Sequence, residues 1–193
     1  ATDDGTGLLS ASDEFILTVV NTNDVPTGSV TITGAATEDV TLAATDDIAD
    51  DDGVGTITYQ WYRSGSSSAI GTGASYTLVQ ADVGKTITVT ASYNDVLGSN
   101  AESISSSATA AVGNVNDDGV VTVTPLGTIY EDALLTANVA DEDGIAGTIT
   151  YVWSESSNGV IFTSISGATS STFTPLQVHV GQYLELWLTY TDD

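Results

Sequence analysis

Residues 55–61 read Gly-Thr-Ile-Thr-Tyr-Gln-Trp, and residues 147–153 read Gly-Thr-Ile-Thr-Tyr-Val-Trp. In both stretches β-branched and aromatic residues alternate, which is the period of two that half-buried β-strands show. A Trp ends each stretch, and we expect it to lie in a core rather than to serve a cofactor. Two such strands 92 residues apart indicate that the chain contains two copies of one module.

Other parts of the chain repeat at similar spacing. Asn21-Thr-Asn-Asp24 returns as Asn114-Val-Asn-Asp117, and Glu38-Asp39 returns as Glu131-Asp132, in both cases 93 residues later. The repeating unit therefore has about a hundred residues, which is the size of a small β-sandwich domain.

These alignments give the expected division of the chain. Residues 21–113 form the first module and residues 114–193 the second, while residues 1–20 align with the end of a module, since Val20 precedes Asn21 as Gly113 precedes Asn114. We expect residues 1–20 to be the closing strand of a preceding repeat and the second module to lack its last strand. The open sheet edge that results is a template for another strand.

Composition excludes several classes of function. The 193 residues include 26 acidic and two basic ones, so the net charge of −24 opposes binding to nucleic acid or to an anionic membrane. There is no Cys, which excludes thiolate metal sites and thiol catalysis. The sequence contains no apolar run long enough for a membrane helix and no signal-peptide pattern at its start. An apolar fraction of 41% is too high for an acidic disordered tail, so we expect a folded core.

Alternating segments predict an all-β fold of tandem sandwich modules, with no sustained helical period. The clearest predicted strands are Phe15–Val20, Ser29–Thr33, Thr56–Tyr62, Thr86–Tyr93, Val120–Thr124 and Tyr183–Tyr190. In the first copy an Asp82-Val-Gly84 turn leads into an alternating strand, as the corner before strand F does in immunoglobulin domains. The second copy has His179 in place of Asp82, and we expect a structural role for this residue.

The linker, the Trp strand and the turn before Lys85 occur in one fixed order. This order resembles the immunoglobulin-like or cadherin-like extender repeats of giant bacterial surface adhesins, including those of RTX type. The resemblance covers nearly the whole chain. It implies a secreted, calcium-stiffened stalk at a cell surface or in an extracellular fibre, whose partners are neighbouring repeats of the same array.

Acidic clusters recur at matching places in both copies. Calcium binds six to eight hard oxygen ligands, and an Asp-x-Asp-Gly turn lets alternate carboxylates converge on one ion. In cadherin-like repeats an Asn-Asp linker meets acidic loops of both flanking modules, and this resemblance implies a calcium set across each linker. The candidate ligands are Asn23, Asp24, Glu38, Asp39, Asp50, Asp52, Asp95, Asn116, Asp117, Glu131, Asp132, Asp141, Asp143 and Asp192.

Other readings of the same residues stay open at the level of sequence. Asp-Gly and Asn-Asp are ordinary turn residues, and surface acids keep a secreted protein soluble. We expect no enzymatic activity, because a catalytic triad has only His179 to draw on. An alternative function is that of a fibre subunit. In such a fibre, residues 8–20 of one chain complete the open sandwich of the next chain. Carbohydrate binding by aromatic residues such as Tyr62 or Trp187 is a third hypothesis.

Overall fold

The computed structural model describes residues 16–192, and these residues form four antiparallel sheets. The strands of the first module are β1 (Val30–Thr33), β2 (Thr41–Asp46), β3 (Thr58–Arg63), β4 (Gly71–Thr72), β5 (Ser75–Thr77), β6 (Ile87–Asn94) and β7 (Ala101–Ser105). Those of the second are β8 (Val120–Thr124), β9 (Leu135–Ala140), β10 (Ile145–Ser156), β11 (Thr163–Ser164), β12 (Thr172–Phe173) and β13 (Tyr183–Asp192).

The first module is a sandwich of two sheets with the strand orders β1-β2-β5 and β4-β3-β6-β7. Side chains from both sheets meet in one core, where Leu42 from β2 packs with Trp61 from β3 and Val89 from β6. All three are fully buried, because alternate residues of each strand point inward. The predicted all-β sandwich is confirmed.

The second module repeats this plan with sheets β8-β9-β12 and β11-β10-β13. Trp153 on β10 occupies the place of Trp61, and its indole N–H donates to the Ser170 carbonyl at 3.0 Å as that of Trp61 donates to Gly73 at 2.9 Å. Fewer residues are fully buried here, and Leu184 and Leu186 on β13 are only partly covered. Both tryptophans are core residues, as predicted, whereas Trp187 is 65% exposed.

The predicted strand Phe15–Val20 is wrong for the residues that the structure describes. Residues 16–20 form no strand, and their apolar side chains are exposed, Ile16 by 93% and Val19 by 94%. A strand requires a partner for its backbone groups, and residues 16–20 pair with no described strand. Residues 1–15 of the predicted closing segment, and Asp193, lie outside the described residues.

Helical structure consists of two single 3₁₀ turns among the described residues, Gln80–Asp82 and Gln177–His179. No helix long and apolar enough to cross a membrane occurs in this part of the chain.

Candidate metal centre between the two modules

The second acidic turn of each module has the same hydrogen-bond scheme. The Asp52 N–H donates to Asp50 Oδ1 at 2.9 Å, and the Asp143 N–H donates to Asp141 Oδ1 at 3.0 Å. A tyrosine of the last long strand then donates to the other oxygen of the first Asp, Tyr93 to Asp50 and Tyr190 to Asp141. The turn is therefore a fixed structure in both copies, and it holds the second Asp in place.

The linker binds to that second Asp. The Asp24 N–H donates to Asp52 Oδ2 at 2.7 Å, and the Asp117 N–H donates to Asp143 Oδ2 at 2.6 Å. Asp52 and Asp143 are both buried, with 2% and 9% exposure. One oxygen of each carboxylate thus anchors the linker, and the other oxygen of Asp143 has no hydrogen-bond partner.

Glu38 reaches the same place from the first module. It is 2% exposed, and its Oε2 accepts a hydrogen bond from the Val115 N–H in the linker at 3.3 Å. Carboxylate oxygens of Glu38, Asp117 and Asp143 lie within 4.8 Å of one another. The first module, the linker and the second module therefore each contribute one carboxylate to a single cluster, which we call the junction cluster.

The junction cluster fits a hard divalent cation. Two ligands that share a calcium ion at about 2.4 Å each lie at most about 4.8 Å apart. All three groups are carboxylates, which calcium prefers over softer ligands. Asp143 Oδ1 is buried with no hydrogen-bond partner, and a buried charged oxygen without a partner is costly unless a ligand satisfies it.

A second group shares Asp143. Oxygens of Asp141, Asp143 and Asp192 also lie within 4.8 Å of one another. Asp192 is the last residue of β13 and lies two positions after Tyr190. Asp143 is therefore the common member of two groups and the residue whose loss disturbs both.

Without a bound cation, the carboxylates of the junction cluster repel one another. Burial is the main cause that raises the pKa of Glu38, and the charges of Asp117, Asp39 and Asp143 raise it further. The pKa of Asp117 is raised by burial and then by Asp143, Asp39 and Asp141. In both groups the ionised form is the disfavoured one, and a cation between them removes that penalty.

The equivalent residues at the start of the first module do not form such a group among the described residues. Asp95 is instead 4% exposed, and neither of its carboxylate oxygens has a partner in hydrogen-bond geometry. Burial raises its pKa, with further increases from Asp50, Glu102 and Asp52 and a smaller opposite effect from the Asn100 side chain. Asp24, Asp50, Asp52 and Asp95 thus form an acidic set that lacks a counterpart of Glu38.

The other predicted ligands lie at the edge of these sites. The Asn23 and Asn116 amides each donate to the following Asp carbonyl at 3.2 Å, so they shape the linker. Asp39 and Asp132 adopt φ values of 62° and 65°, a left-handed conformation that Asp tolerates better than most residues. Both are exposed, as is Glu131 in the second module.

Sequence reasoning missed four residues that support the carboxylates. Tyr93 and Tyr190 hold the acidic turns, Glu102 accepts a hydrogen bond from the Asn23 amide at 3.0 Å, and Gln80 faces Glu38. With its amide nitrogen toward Glu38, Gln80 lies 2.8 and 2.9 Å from the two carboxylate oxygens. The recurrence of Tyr93 as Tyr190 and of Gln80 as Gln177 was a signal in the sequence, whereas Glu102 gave none.

His179 has a structural role in the second module. Its Nδ1 accepts from the Leu176 N–H at 2.8 Å, as Asp82 Oδ2 accepts from the Val79 N–H at 3.1 Å. Asp82 also binds Arg63 at 3.1 Å and Tyr76 at 2.7 Å. The same turn is thus held by an imidazole in one copy and by a carboxylate in the other.

Comparisons of the chain with protein-family models, with curated proteins and with solved structures each gave no match. The functional assignment therefore depends on the residues themselves.

Proposed function

We propose that the chain is a non-enzymatic spacer, a calcium-stabilised segment of the stalk of a bacterial cell-surface adhesin that holds a distal binding domain away from the cell. The observation that carries the proposal is the junction cluster, because Glu38, Asp117 and Asp143 come from two modules and the linker between them. An ion shared by these three carboxylates joins the modules and restricts their relative rotation.

The chemistry of the cluster sets the expected affinity. Extracellular calcium modules bind with Kd values on the order of 10⁻⁴ to 10⁻³ M. At about 1 mM calcium and a Kd of about 10⁻⁴ M, an ion that binds only the folded state adds about 1.4 kcal/mol of stability. The stalk is then stiff in calcium-rich surroundings and more flexible where calcium is scarce.

The test is a pair of thermal melts, with calcium and with a chelator, on the parent chain and on two variants. Asp143→Asn removes the charge shared by both acidic groups, and we expect it to abolish most of the calcium-induced rise in Tm. Glu142→Gln is the matched control, since it removes one charge from an exposed neighbouring side chain outside both groups. An equal calcium response in all three proteins would refute the junction site.

The spacer function itself is tested by the dimensions of the chain. We expect small-angle scattering to give a narrower distribution of lengths in calcium than in chelator for the parent protein. The Asp143→Asn variant is expected to show the chelator-type distribution in both conditions.

A further inference from the structure

Gln80 contacts the junction cluster from a further segment of the first module. One terminal atom of its amide lies 2.8 Å from Oε1 of Glu38 and 2.9 Å from Oε2. Glu38 is 2% exposed, and its Oε2 also accepts the Val115 N–H. Gln80 therefore lies directly against the carboxylate that the first module contributes to the cluster.

The backbone of Gln80 is held in a fixed place. Gln80 begins the 3₁₀ turn Gln80–Asp82, and its carbonyl accepts from the Val83 N–H at 3.1 Å. Asp82 ends the turn, is fully buried and pairs with Arg63 at 3.1 Å. The freedom that remains to Gln80 is therefore in its side-chain torsions.

The two ends of the Gln80 amide are similar in size and opposite in chemistry. With its nitrogen toward Glu38, the amide donates to both carboxylate oxygens and offsets their charge. With its oxygen toward Glu38, it places an acceptor beside two other acceptors, an arrangement that is favourable around a cation. The last side-chain torsion of glutamine is broad and roughly two-fold, so the reversal requires no movement of the backbone.

The junction cluster is better completed by a neutral oxygen than by another carboxylate. The charges of Glu38, Asp117 and Asp143 already exceed that of one calcium ion when all three are ionised. Calcium nevertheless takes six to eight oxygen ligands, and the amide oxygens of Asn and Gln are among its usual ones. An amide oxygen from Gln80 adds a ligand without adding repulsion.

The distances suit a shared ion. Two oxygens 2.8 or 2.9 Å apart, each about 2.4 Å from one ion, subtend an angle of about 72° at that ion. Neighbouring ligands in the equatorial plane of a pentagonal bipyramid have this angle, and calcium often adopts that geometry. An N–H group in the same place would direct its positive end at the ion, so ion binding favours the reversed amide.

We propose that Gln80 is a ligand of the junction ion and that its amide reverses when the ion binds. Without calcium, the nitrogen donates to Glu38 and holds that side chain in place. With calcium, the oxygen joins Glu38, Asp117 and Asp143 around the ion. This inference rests on the proposed function, because it concerns the ligand set of the same site.

Two variants of Gln80 distinguish a ligand from a donor. Gln80→Met keeps nearly the length of the side chain but offers neither an oxygen nor an N–H. Gln80→Glu offers an oxygen ligand but, when ionised, no donor for Glu38. The matched control is Gln177→Met, because Gln177 begins the corresponding 3₁₀ turn of the second module, is exposed, and is not a neighbour of the junction carboxylates in that turn.

Terbium(III) is the probe, because it occupies oxygen-rich calcium sites and its luminescence lifetimes in H₂O and D₂O count the water molecules bound to it. The signal that Asp143→Asn loses identifies the ion of the junction cluster. At that ion we expect Gln80→Met to gain about one bound water, since water replaces the missing ligand. Gln80→Glu and Gln177→Met are expected to keep the water count of the parent.

Calorimetric titration with calcium gives the second measurement. We expect Gln80→Met to bind calcium about tenfold more weakly than the parent and Gln80→Glu to stay within about threefold of it. Melting curves in chelator show that each variant is folded, and both Gln80 variants are expected to melt slightly below the parent because the hydrogen bonds to Glu38 are lost.

A parental water count in Gln80→Met would overturn the proposal even if its calcium affinity were lower, because Gln80 would then only position Glu38. Calcium binding by Gln80→Glu as weak as that by Gln80→Met would also overturn it. In both cases the loss of the ion in Asp143→Asn would leave the junction site standing. A parent protein with neither a calcium-induced rise in Tm nor a junction terbium signal would instead remove the junction ion, and the role of Gln80 with it.

Discussion

Glu38 shows how one carboxylate can lower stability without calcium and raise it with calcium. It is buried beside Asp117 and Asp143, and its pKa is raised above the ordinary value of 4.5. The substitution Glu38→Gln keeps the shape and an acceptor for the Val115 N–H but removes the charge. In chelator we expect this variant to melt a few degrees higher than the parent, because the buried charge and its repulsion are gone.

In calcium the order reverses, since the variant has lost a ligand of the ion. Melting curves of the parent, of Glu38→Gln and of the exposed control Glu142→Gln in both conditions check this. A variant that is less stable than the parent in chelator would show that the hydrogen bonds of Glu38, including those from Gln80, outweigh the cost of its buried charge.

The pH dependence follows from the same residues. A carboxyl whose folded pKa is raised contributes stability that is fully present below its unfolded pKa and is lost as the pH rises through the folded pKa. Glu38, Asp95 and Asp117 all have raised values, so without calcium the Tm is expected to fall as the pH rises from about 4 toward neutrality. Asp47 acts in the opposite direction because hydrogen bonds from Ser29 lower its pKa, and its contribution is lost only below its ordinary value of 3.8. With calcium bound, acidification is expected to lower Tm instead, because protons displace the ion.

At the scale of the elements, the two cores are unequal. Eight other buried residues share the cluster of Trp61, which draws on both sheets, whereas only Leu135 and Ala137 accompany Trp153 as buried members of its cluster. We therefore expect calorimetry in chelator to show two transitions, with the second module melting first. Trp153→Phe is expected to lower the free energy of unfolding of the second module by about 1–3 kcal/mol, since it leaves the Ser170 carbonyl without its donor. The lower of the two transitions then moves to a lower temperature.

Trp61→Phe makes the same change in the first module and serves as the matched variant. It is expected to move the upper transition only, through the loss of the bond to Gly73. A single transition that both variants shift equally would show that the modules unfold as one unit.

The elements also show which parts of the fold the sequence could predict. The strands that carry the repeated Trp were found to within three residues at each end, because aromatic and polar residues alternate around a buried Trp61 and a buried Trp153. β2 and β7 were missed, since Thr41–Asp46 and Ala101–Ser105 contain small residues with weak alternation. Residues 16–20 have the strand pattern but no described partner, and propensity alone does not supply backbone hydrogen bonds.

The candidate site divides in the same way. The repeat pointed to Asp117 and Asp143, because the linker and the acidic turn recur together. It also gave equal weight to Glu131 and Asp132, which are exposed, and to Glu38 and Asp39, of which only Glu38 joins the junction cluster. Neighbouring residues of a turn point in different directions, and composition does not show which of them faces the linker.

At the scale of the whole molecule, the charge of −24 offers a rival explanation for any effect of calcium. Every added salt screens repulsion among exposed carboxylates and stabilises an acidic protein to some extent. A specific ion acts differently, since it depends on the geometry of one site and on the size of the cation. Magnesium prefers octahedral coordination at 2.0–2.1 Å and dehydrates reluctantly, so a cluster of three carboxylates from separate elements suits calcium better.

We therefore expect millimolar calcium to raise Tm more than the same concentration of magnesium, with sodium chloride at equal ionic strength giving the smallest rise. The Asp143→Asn variant distinguishes stabilisation by a bound ion from stabilisation by screening, because its net charge differs from that of the parent by only one unit. Its response to sodium chloride is expected to match that of the parent, because screening acts on the whole surface, whereas its response to calcium is expected to fall to the level seen with magnesium. If calcium and magnesium proved equivalent in both proteins, the stabilisation would come from screening of the surface as a whole, and the junction cluster would be one more set of acidic turn residues.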